Sequence, residues 1–257
     1  MKKVLIVGGV AGGASTATRL RRLDENLEIV IFEKGEYVSF ANCGLPYHIG
    51  GVIENRESLL VQTPESLNAR FNLDVRINSE VIEVSGKDKK VKVKTKNGEE
   101  YEENFDFLVL APGAKPIFPA IKGIENKKIF ALRNINDMDK IKSEIKNNTV
   151  KKAVVVGGGY VGVETAENLK YLGIDTSLIE AAPHILAPFD SEISNILEYE
   201  LVDNGINLLI SEKVTEFQED KDEVIIKLES GKSVTTDMVI LSIGVSPDTE
   251  FLQNSGI

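Results

Sequence analysis

The chain has one cysteine, no tryptophan and two histidines among 257 residues, and aromatic residues make up only 6% of it. A solitary thiol excludes an internal disulfide and a cysteine-rich zinc or iron–sulfur centre, and it fits a reducing, cytoplasmic compartment. No apolar run approaches the ~20 residues that a membrane helix needs, so no membrane role is expected. The opening Met1–Val7 stretch imitates a short signal peptide, but it breaks at Gly8-Gly9 and gives way to an Arg-rich segment, which argues against that reading. Bases are scarce: 30 Lys and Arg face 40 Asp and Glu, a net charge of −10, so nothing supplies the broad basic face of a general nucleic-acid binder. The remaining composition, 42% hydrophobic and 27% charged, is that of one large or two modest globular domains.

What is present is a long internal echo. Val4–Gly13 (VLIVGGVAGG) returns as Ala153–Gly162 (AVVVGGGYVG). Each copy is a short β-branched run, a glycine cluster and a helix-period stretch, Ala14–Leu23 and then Val163–Leu172. A second apolar run follows each helix and ends in acid, at Glu33 and at Glu180. Such continuous hydrophobic strands predict a parallel sheet covered on both faces. Turn-punctuated meanders come next. Val75–Val84, Val91–Thr95 and Phe105–Leu110 are strand candidates with Asn97-Gly98 as a hairpin turn, and Glu223–Leu228 and Ser233–Ile240 flank Ser230-Gly231. Both meanders close alike, at Leu108–Pro116 and Val239–Pro247. The expected fold class is α/β, with two Rossmann-like βαβ-plus-meander domains, each built to bind a dinucleotide.

In such a loop the first glycine permits the sharp strand-to-helix bend, the second admits a pyrophosphate and the third lets helix pack on strand. Free N–H groups and the helix dipole then hold the phosphates. Gly157, Gly159 and Gly162 meet the full pattern; the first loop keeps Gly8 and Gly13 but has Val10 at the middle position, with Gly9 and Gly12 beside it. Glu33 lies 25 residues after Gly8 and Glu180 lies 23 after Gly157. A carboxylate there accepts hydrogen bonds from an adenosine ribose and repels a 2′-phosphate. Two loops and two acids imply two adenine dinucleotides, one held tightly and one exchanging. Glu180 precedes Ala181-Ala182-Pro183 with no arginine nearby, which favours NADH over NADPH.

The lone Cys43 lies in Ser39-Phe40-Ala41-Asn42-Cys43-Gly44, among polar and backbone-exposing neighbours. A buried, inert thiol is the bland alternative. A cysteine at a helix start is instead a stabilised, reactive thiolate. Without a second cysteine it must pair with an external thiol or be oxidised to a sulfenic acid. Arg19, Arg21 and Arg22 form a basic cluster in which Arg19 and Arg22 share a helical face; a solvated surface explains them simply, and capture of a phosphorylated substrate explains them as well.

The order of first loop, Ser39–Gly44, second loop with Glu164, and closing Gly-containing segment resembles the single-cysteine branch of the pyridine nucleotide–disulfide oxidoreductases, most closely the coenzyme A disulfide reductases. The resemblance spans essentially the whole chain. It implies an FAD-dependent oxidoreductase in which NADH reduces the flavin, which reduces a mixed disulfide between Cys43 and coenzyme A, the substrate being coenzyme A disulfide or persulfide. It also implies an FAD-binding domain at 1–115, with 245–257 returning to it, and an NAD(H)-binding domain at 116–244. FAD would contact Gly8, Gly9, Val10, Ala11, Gly12, Gly13, Glu33, Lys34, Asn42, Cys43, Val81, Ala111, Pro112, Gly113 and Arg133. NADH would meet Gly157, Gly159, Tyr160, Val161, Gly162, Glu164, Glu180, Ile243 and Gly244, with Tyr160 covering the flavin and Glu164 beside the nicotinamide. Simple dipole compensation also explains Glu164. Coenzyme A would be gripped by Ser15, Arg19, Arg22, Ser39 and Asn42. His48 and His184 match no catalytic position and are expected to be structural.

Members of this family run past residue 257, adding a further FAD segment and a dimerisation domain; the complete protein is expected to be a homodimer and this chain a truncated form with weakened FAD retention. Two alternatives remain: an NADH oxidase or peroxidase with Cys43 as a sulfenic acid, and a non-catalytic nucleotide-binding fragment. The expected effect of Glu180→Arg is a shift of cofactor preference toward NADPH, measured by titrating both dinucleotides; unchanged selectivity removes the ribose-binding assignment of Glu180.

Overall fold

The computed structural model describes residues 1–148 and 150–257, which divide into two compact units. The first comprises Met1–Ala41, Glu57–Lys115 and Pro247–Ile257; the second comprises Asn42–Arg56 and Pro116–Ser246. Among the described residues no helix is long and apolar enough to cross a membrane.

The first unit is organised by a parallel sheet of four strands in the order Asp74–Arg76, Glu28–Phe32, Lys3–Val7 and Phe107–Leu110. Lys3–Val7 is central because it is apolar on both faces, and the pleat sends alternate side chains in opposite directions. Val4 and Ile6, with Ile29 and Ile31, pack under Ala17 and Leu67 on the helical side. Leu5 and Val7, with Val30 and Phe32, pack against Val81, Val84, Val91 and Val93 of the meander. That meander is a separate three-stranded antiparallel sheet, Ser79–Ser85, Lys90–Thr95 and Glu100–Asn104.

The second unit repeats the plan with five parallel strands, ordered Asn207–Leu209, Asp175–Ile179, Lys152–Val156, Met238–Leu241 and Ile129–Ala131. Its meander is Val214–Asp220, Glu223–Leu228 and Ser233–Thr236. Val154, Val156, Ile179, Val239 and Leu241 pack there against Phe217, Val224 and Ile226. The α/β class and the repeat are thus as the sequence predicts.

Details differ from the sequence reading for local reasons. The helices begin within the glycine clusters, at Ala11 and Tyr160, three residues earlier than the apolar period indicates, since glycines and small residues carry no period. The single strand read at Val75–Val84 is two strands of different sheets, because Asn78 adopts a left-handed φ of +52° and turns the chain. Strand Glu100–Asn104 alternates glutamates with Tyr101 and escaped notice because its outer face is charged. The cysteine segment, read as part of the first domain, clusters with the second unit. Three contacts fix it there: Arg56 forks onto Asp139 through Nε at 3.0 Å and Nη2 at 2.7 Å, Lys142 Nζ donates to the His48 carbonyl at 2.7 Å, and Gly50 lies so close to Asn168 that a Cβ would stand 2.2 Å from its Oδ1.

Arg21 departs from the basic surface cluster. It is 9% exposed and donates to the carbonyls of Glu25 (2.7 Å), Phe71 (2.8 Å) and Asn72 (3.0 Å). It thereby stitches the end of its own helix to the left-handed cap of helix Pro64–Phe71, where Asn72 has φ +48°. Arg21→Met is expected to cost about 2 kcal/mol, the worth of charge-assisted bonds to carbonyls left partly buried. Chemical denaturation checks it, and a change below about 0.5 kcal/mol, the range of ordinary surface substitutions, contradicts the role.

Candidate functional site

The first glycine loop is held by close approach. Gly8 has φ +96°, and a Cβ on it would lie 2.0 Å from the Ala111 carbonyl oxygen; one on Gly13 would lie 1.7 Å from the oxygen of Gly8. No side chain fits at either position. Glu33, 8% exposed, accepts from the Gly9 N–H at 2.8 Å through Oε2 and from the Gly35 N–H at 2.7 Å through Oε1. A carboxylate offers about four acceptor sites, so these two bonds orient it and leave capacity for a ligand's hydroxyls. Gly8, Glu33, Lys34, Val81 and Pro112 share the wall of one cleft of about 340 Å³. Asp248 and Phe251, from the returning C-terminal stretch, complete it, with Lys34 ion-paired to Asp248. Ala111 donates its N–H to Val7 at 2.8 Å, and Gly113, at φ +72°, accepts from the Asp248 N–H at 3.1 Å.

A neighbouring cleft of about 420 Å³ is lined by Val10, Ala11, Ser15, Ser39 and Arg70. Ser39 takes a left-handed φ of +46°, held by its N–H to the Gly9 carbonyl at 2.9 Å and by Val61 N–H on its own carbonyl at 3.0 Å. Strain of this kind persists only where surrounding bonds over-determine it. Arg19 and Arg22 are exposed and stand four and seven residues after Ser15 on one helical face, but they do not line the cleft. Arg70, which the sequence did not single out, does. Only the packing of helix Pro64–Phe71 beside the loop brings it there, and no spacing signal links it to Ser15. Gly12 stays close to the sheet end, where a Cβ would touch that of Ala111 at 3.4 Å.

The second loop repeats the geometry. Gly157 has φ +108° and its Cβ would stand 2.3 Å from the Ser242 carbonyl oxygen, while that of Gly162 would stand 1.9 Å from the oxygen of Gly157. Gly159 differs: a Cβ there meets nothing within 4 Å. Its smallness therefore serves no internal packing and keeps open the space over the helix start. Glu180 accepts from Gly158 N–H at 2.6 Å and Ala182 N–H at 2.7 Å. Gly157, Gly159, Tyr160, Glu180, Ile243 and Gly244 all line a cleft of about 500 Å³. Tyr160, 55% exposed, meets Phe189 edge to face with ring centres 6.0 Å apart. Glu212, unremarked in the sequence, lines the same cleft.

Val161, Gly162 and Glu164 do not line that cleft; Glu164 faces the cysteine segment instead, accepting from the Tyr47 hydroxyl at 3.3 Å. The negative charge of Glu164 is the chief reason the Tyr47 phenol is pushed above its ordinary pKa. Cys43 is exposed, in the single 3₁₀ turn Asn42–Gly44 that leads into the short helix Leu45–Ile49. Asn42 and Arg133 likewise belong to the second unit, where the Arg133 N–H donates to Asp137 at 3.1 Å. His48 Nδ1 lies 2.6 Å from the Ile53 carbonyl and His184 Nδ1 lies 3.2 Å from Glu198.

Comparison with known proteins agrees with this geometry. The family model for pyridine nucleotide-disulphide oxidoreductases matches residues 2–257. An NADH oxidase of Methanocaldococcus jannaschii is 34% identical over 255 residues, 99% of this chain and 57% of that protein. A coenzyme A disulfide reductase of Staphylococcus aureus (strain NCTC 8325 / PS 47) is 38% identical over 258 residues, 100% of this chain and 57% of the relative. Among solved structures, reduced Bacillus anthracis CoADR-RHD superposes with a TM-score of 0.96 at 46% identity, covering 99% of this chain and 46% of that one. The chain spans about half the length of the relatives it matches.

The two kinds of glycine separate experimentally. Gly162→Ala is expected to destabilise the unliganded chain by several kcal/mol through the clash with Gly157, whereas Gly159→Ala is expected to leave it within about 1 kcal/mol of wild type and weaken dinucleotide binding. Denaturant melts and NADH titration of both variants check this; equal destabilisation by the two contradicts it.

Proposed function

Because the chain belongs to the pyridine nucleotide-disulphide oxidoreductase family, we propose that its first cleft holds FAD, its second holds NADH, and Cys43 receives the electrons as a mixed disulfide with coenzyme A. The observation that carries the reading is the duplicated cradle: two loops packed too tightly for a Cβ, each with a carboxylate bonded to its second N–H, in a chain with one exposed thiol. The residues fit the groups: each glycine loop opens a helix, whose first N–H groups suit a pyrophosphate, and each loop is backed by an oriented acid that suits a ribose. When bound, the flavin supplies the two-electron relay between a nicotinamide and a disulfide.

The chain's own residues bind, orient and react. Gly8–Gly13 and Glu33 would hold the flavin nucleotide, with Lys34, Val81 and Pro112 at the wall and Ala111 and Gly113 beside it; the family resemblance adds Asn42, Cys43 and Arg133 as flavin contacts. Gly157–Gly162, Glu180, Ile243 and Gly244 would hold the nicotinamide nucleotide, with Tyr160 as the movable cover. Ser15, Arg19, Arg22, Ser39 and Asn42 would grip coenzyme A, the arginines acting as the charged forks that phosphate recognition requires. Cys43 Sγ, as thiolate, attacks one sulfur of coenzyme A disulfide; a new S–S bond forms, the old one breaks, and one coenzyme A thiolate departs. Two electrons from NADH, which becomes NAD+, would then reduce the Cys43–coenzyme A bond, restoring the Cys43 thiolate and releasing the second coenzyme A as its thiolate. Glu164, read from the resemblance as the acid beside the nicotinamide, accepts from the Tyr47 hydroxyl of the cysteine segment.

The M. jannaschii relative favours one other reading, reduction of oxygen or peroxide with Cys43 cycling through a sulfenic acid. Mass spectrometry separates the two: incubation with coenzyme A disulfide is expected to leave a coenzyme A adduct on Cys43, whereas the alternative leaves one added oxygen. In the complete protein, Cys43→Ser is expected to lower coenzyme A disulfide reduction by about 10³-fold or more, as for loss of any covalent nucleophile. Retained turnover sinks the assignment.

A further inference from the structure

The second cleft contains an acid that the glycine-loop pattern does not require. Glu212 is only 6% exposed and lines the cleft with Glu180. Its Oε1 is satisfied, by Lys232 Nζ at 2.9 Å and the Ser230 hydroxyl at 3.0 Å. Its Oε2 is buried with no hydrogen-bond partner. An unpaired buried carboxylate oxygen is expensive, and such groups call for an explanation.

The repeat supplies one. Each distal acid is tied by its backbone to the strand beside it in the same pattern. Glu33 N–H donates to Arg76 and Glu180 N–H to Leu209; Ser79 N–H returns to Glu33 and Glu212 N–H to Glu180. Between them Asn78 and Ser211 share left-handed φ values of +52° and +54°. Glu212 is therefore the structural counterpart of Ser79, which lines the first cleft. In a nucleotide-binding sheet of this type the pyrophosphate lies at the glycine loop and the ribose at the acid ending the second strand. The rest of the adenosine then lies farther along, toward the neighbouring strand about 4.8 Å away. Here that strand is Asn207–Leu209, and Glu212 follows it by three residues.

We propose that Glu212 is a second specificity-determining acid of the NADH cleft: its carboxylate charge adds to that of Glu180 in excluding a 2′-phosphate. The hydrogen bond from the Lys232 ammonium, helped by that from the Ser230 hydroxyl, holds the Glu212 carboxyl below the ordinary range, so it stays ionised at neutral pH. Lys232 is itself largely exposed, grips only Oε1 and does not line the cleft. The first cleft, with a serine at this position, lacks the second charge.

This rests on the assignment of the second cleft to NADH, and the test separates the two. NADH and NADPH are titrated by isothermal calorimetry into the wild-type chain, Glu180→Gln, Glu212→Gln and Lys232→Gln. Glutamine at 212 keeps the acceptor for Lys232 and places an amide donor where Oε2 stands. The NADH-over-NADPH preference is expected to fall about tenfold with Glu212→Gln, chiefly through tighter NADPH binding, and to widen by about twofold or more with Lys232→Gln, which unmasks the carboxylate. If wild type binds NADH, Glu180→Gln loses the preference and both the 212 and 232 variants keep it, the role of Glu212 is overturned while the cleft assignment stands. Binding of neither dinucleotide by wild type overturns both. Should Glu212→Gln fail to melt cooperatively, the exposed Lys232→Gln variant decides alone, and an unchanged preference counts against the proposal.

Discussion

Everything in this molecule depends on one short-range bond made twice, a buried or half-buried glutamate at a strand end accepting the second N–H of a glycine loop. Glu33 does it for Gly9 at 2.8 Å and Glu180 for Gly158 at 2.6 Å. A charge-assisted bond of this kind is worth roughly 1.5–3 kcal/mol, and its other function is geometric. It ties the loop to the strand end and, with a second bond to Gly35 or Ala182, fixes the orientation of the acid. Carbonyl oxygens press on the loop from the other side, Ala111 on Gly8 and Ser242 on Gly157, at separations only a hydrogen atom tolerates. Acid and carbonyl together make the cradle rigid before any ligand arrives, which is what preorganised recognition needs.

Duplication of this device explains the architecture and also where the copies diverge. Both sheets are apolar on both faces because helices cover one side and a meander the other. The divergences sit at the cleft walls. Gly159 leaves open space where the first loop has Val10, and Glu212 stands where the first unit has Ser79. Glu180 and Glu212 both line the second cleft, while the returning stretch contributes Asp248 and Phe251 to the first.

The cysteine segment shows a different economy. Cys43 is exposed on a single tight turn, and the elements that hold it lie immediately downstream: Tyr47 on Glu164, His48 on Lys142, Gly50 against Asn168, Arg56 on Asp139. A cysteine on a short, strapped segment keeps its position without being buried.

The amino-acid sequence by itself determined the repeat, the α/β class, the two glycine loops and their acids, because each is a local pattern in which the residues that interact lie within about 25 positions and the backbone geometry admits few alternatives. Gly8, Gly13, Gly157, Gly162, Glu33 and Glu180 were legible for that reason. Only the tertiary structure decided what faces the cradles. It removed Arg21 from the basic cluster into three carbonyl bonds, brought Arg70 to the wall beside Ser15, split the strand at Asn78, turned Glu164 toward Tyr47, and set Glu212 beside Glu180. These pairings join residues distant in the chain or hinge on which face of a helix is buried. Their energies come from packing and desolvation, which no linear spacing encodes.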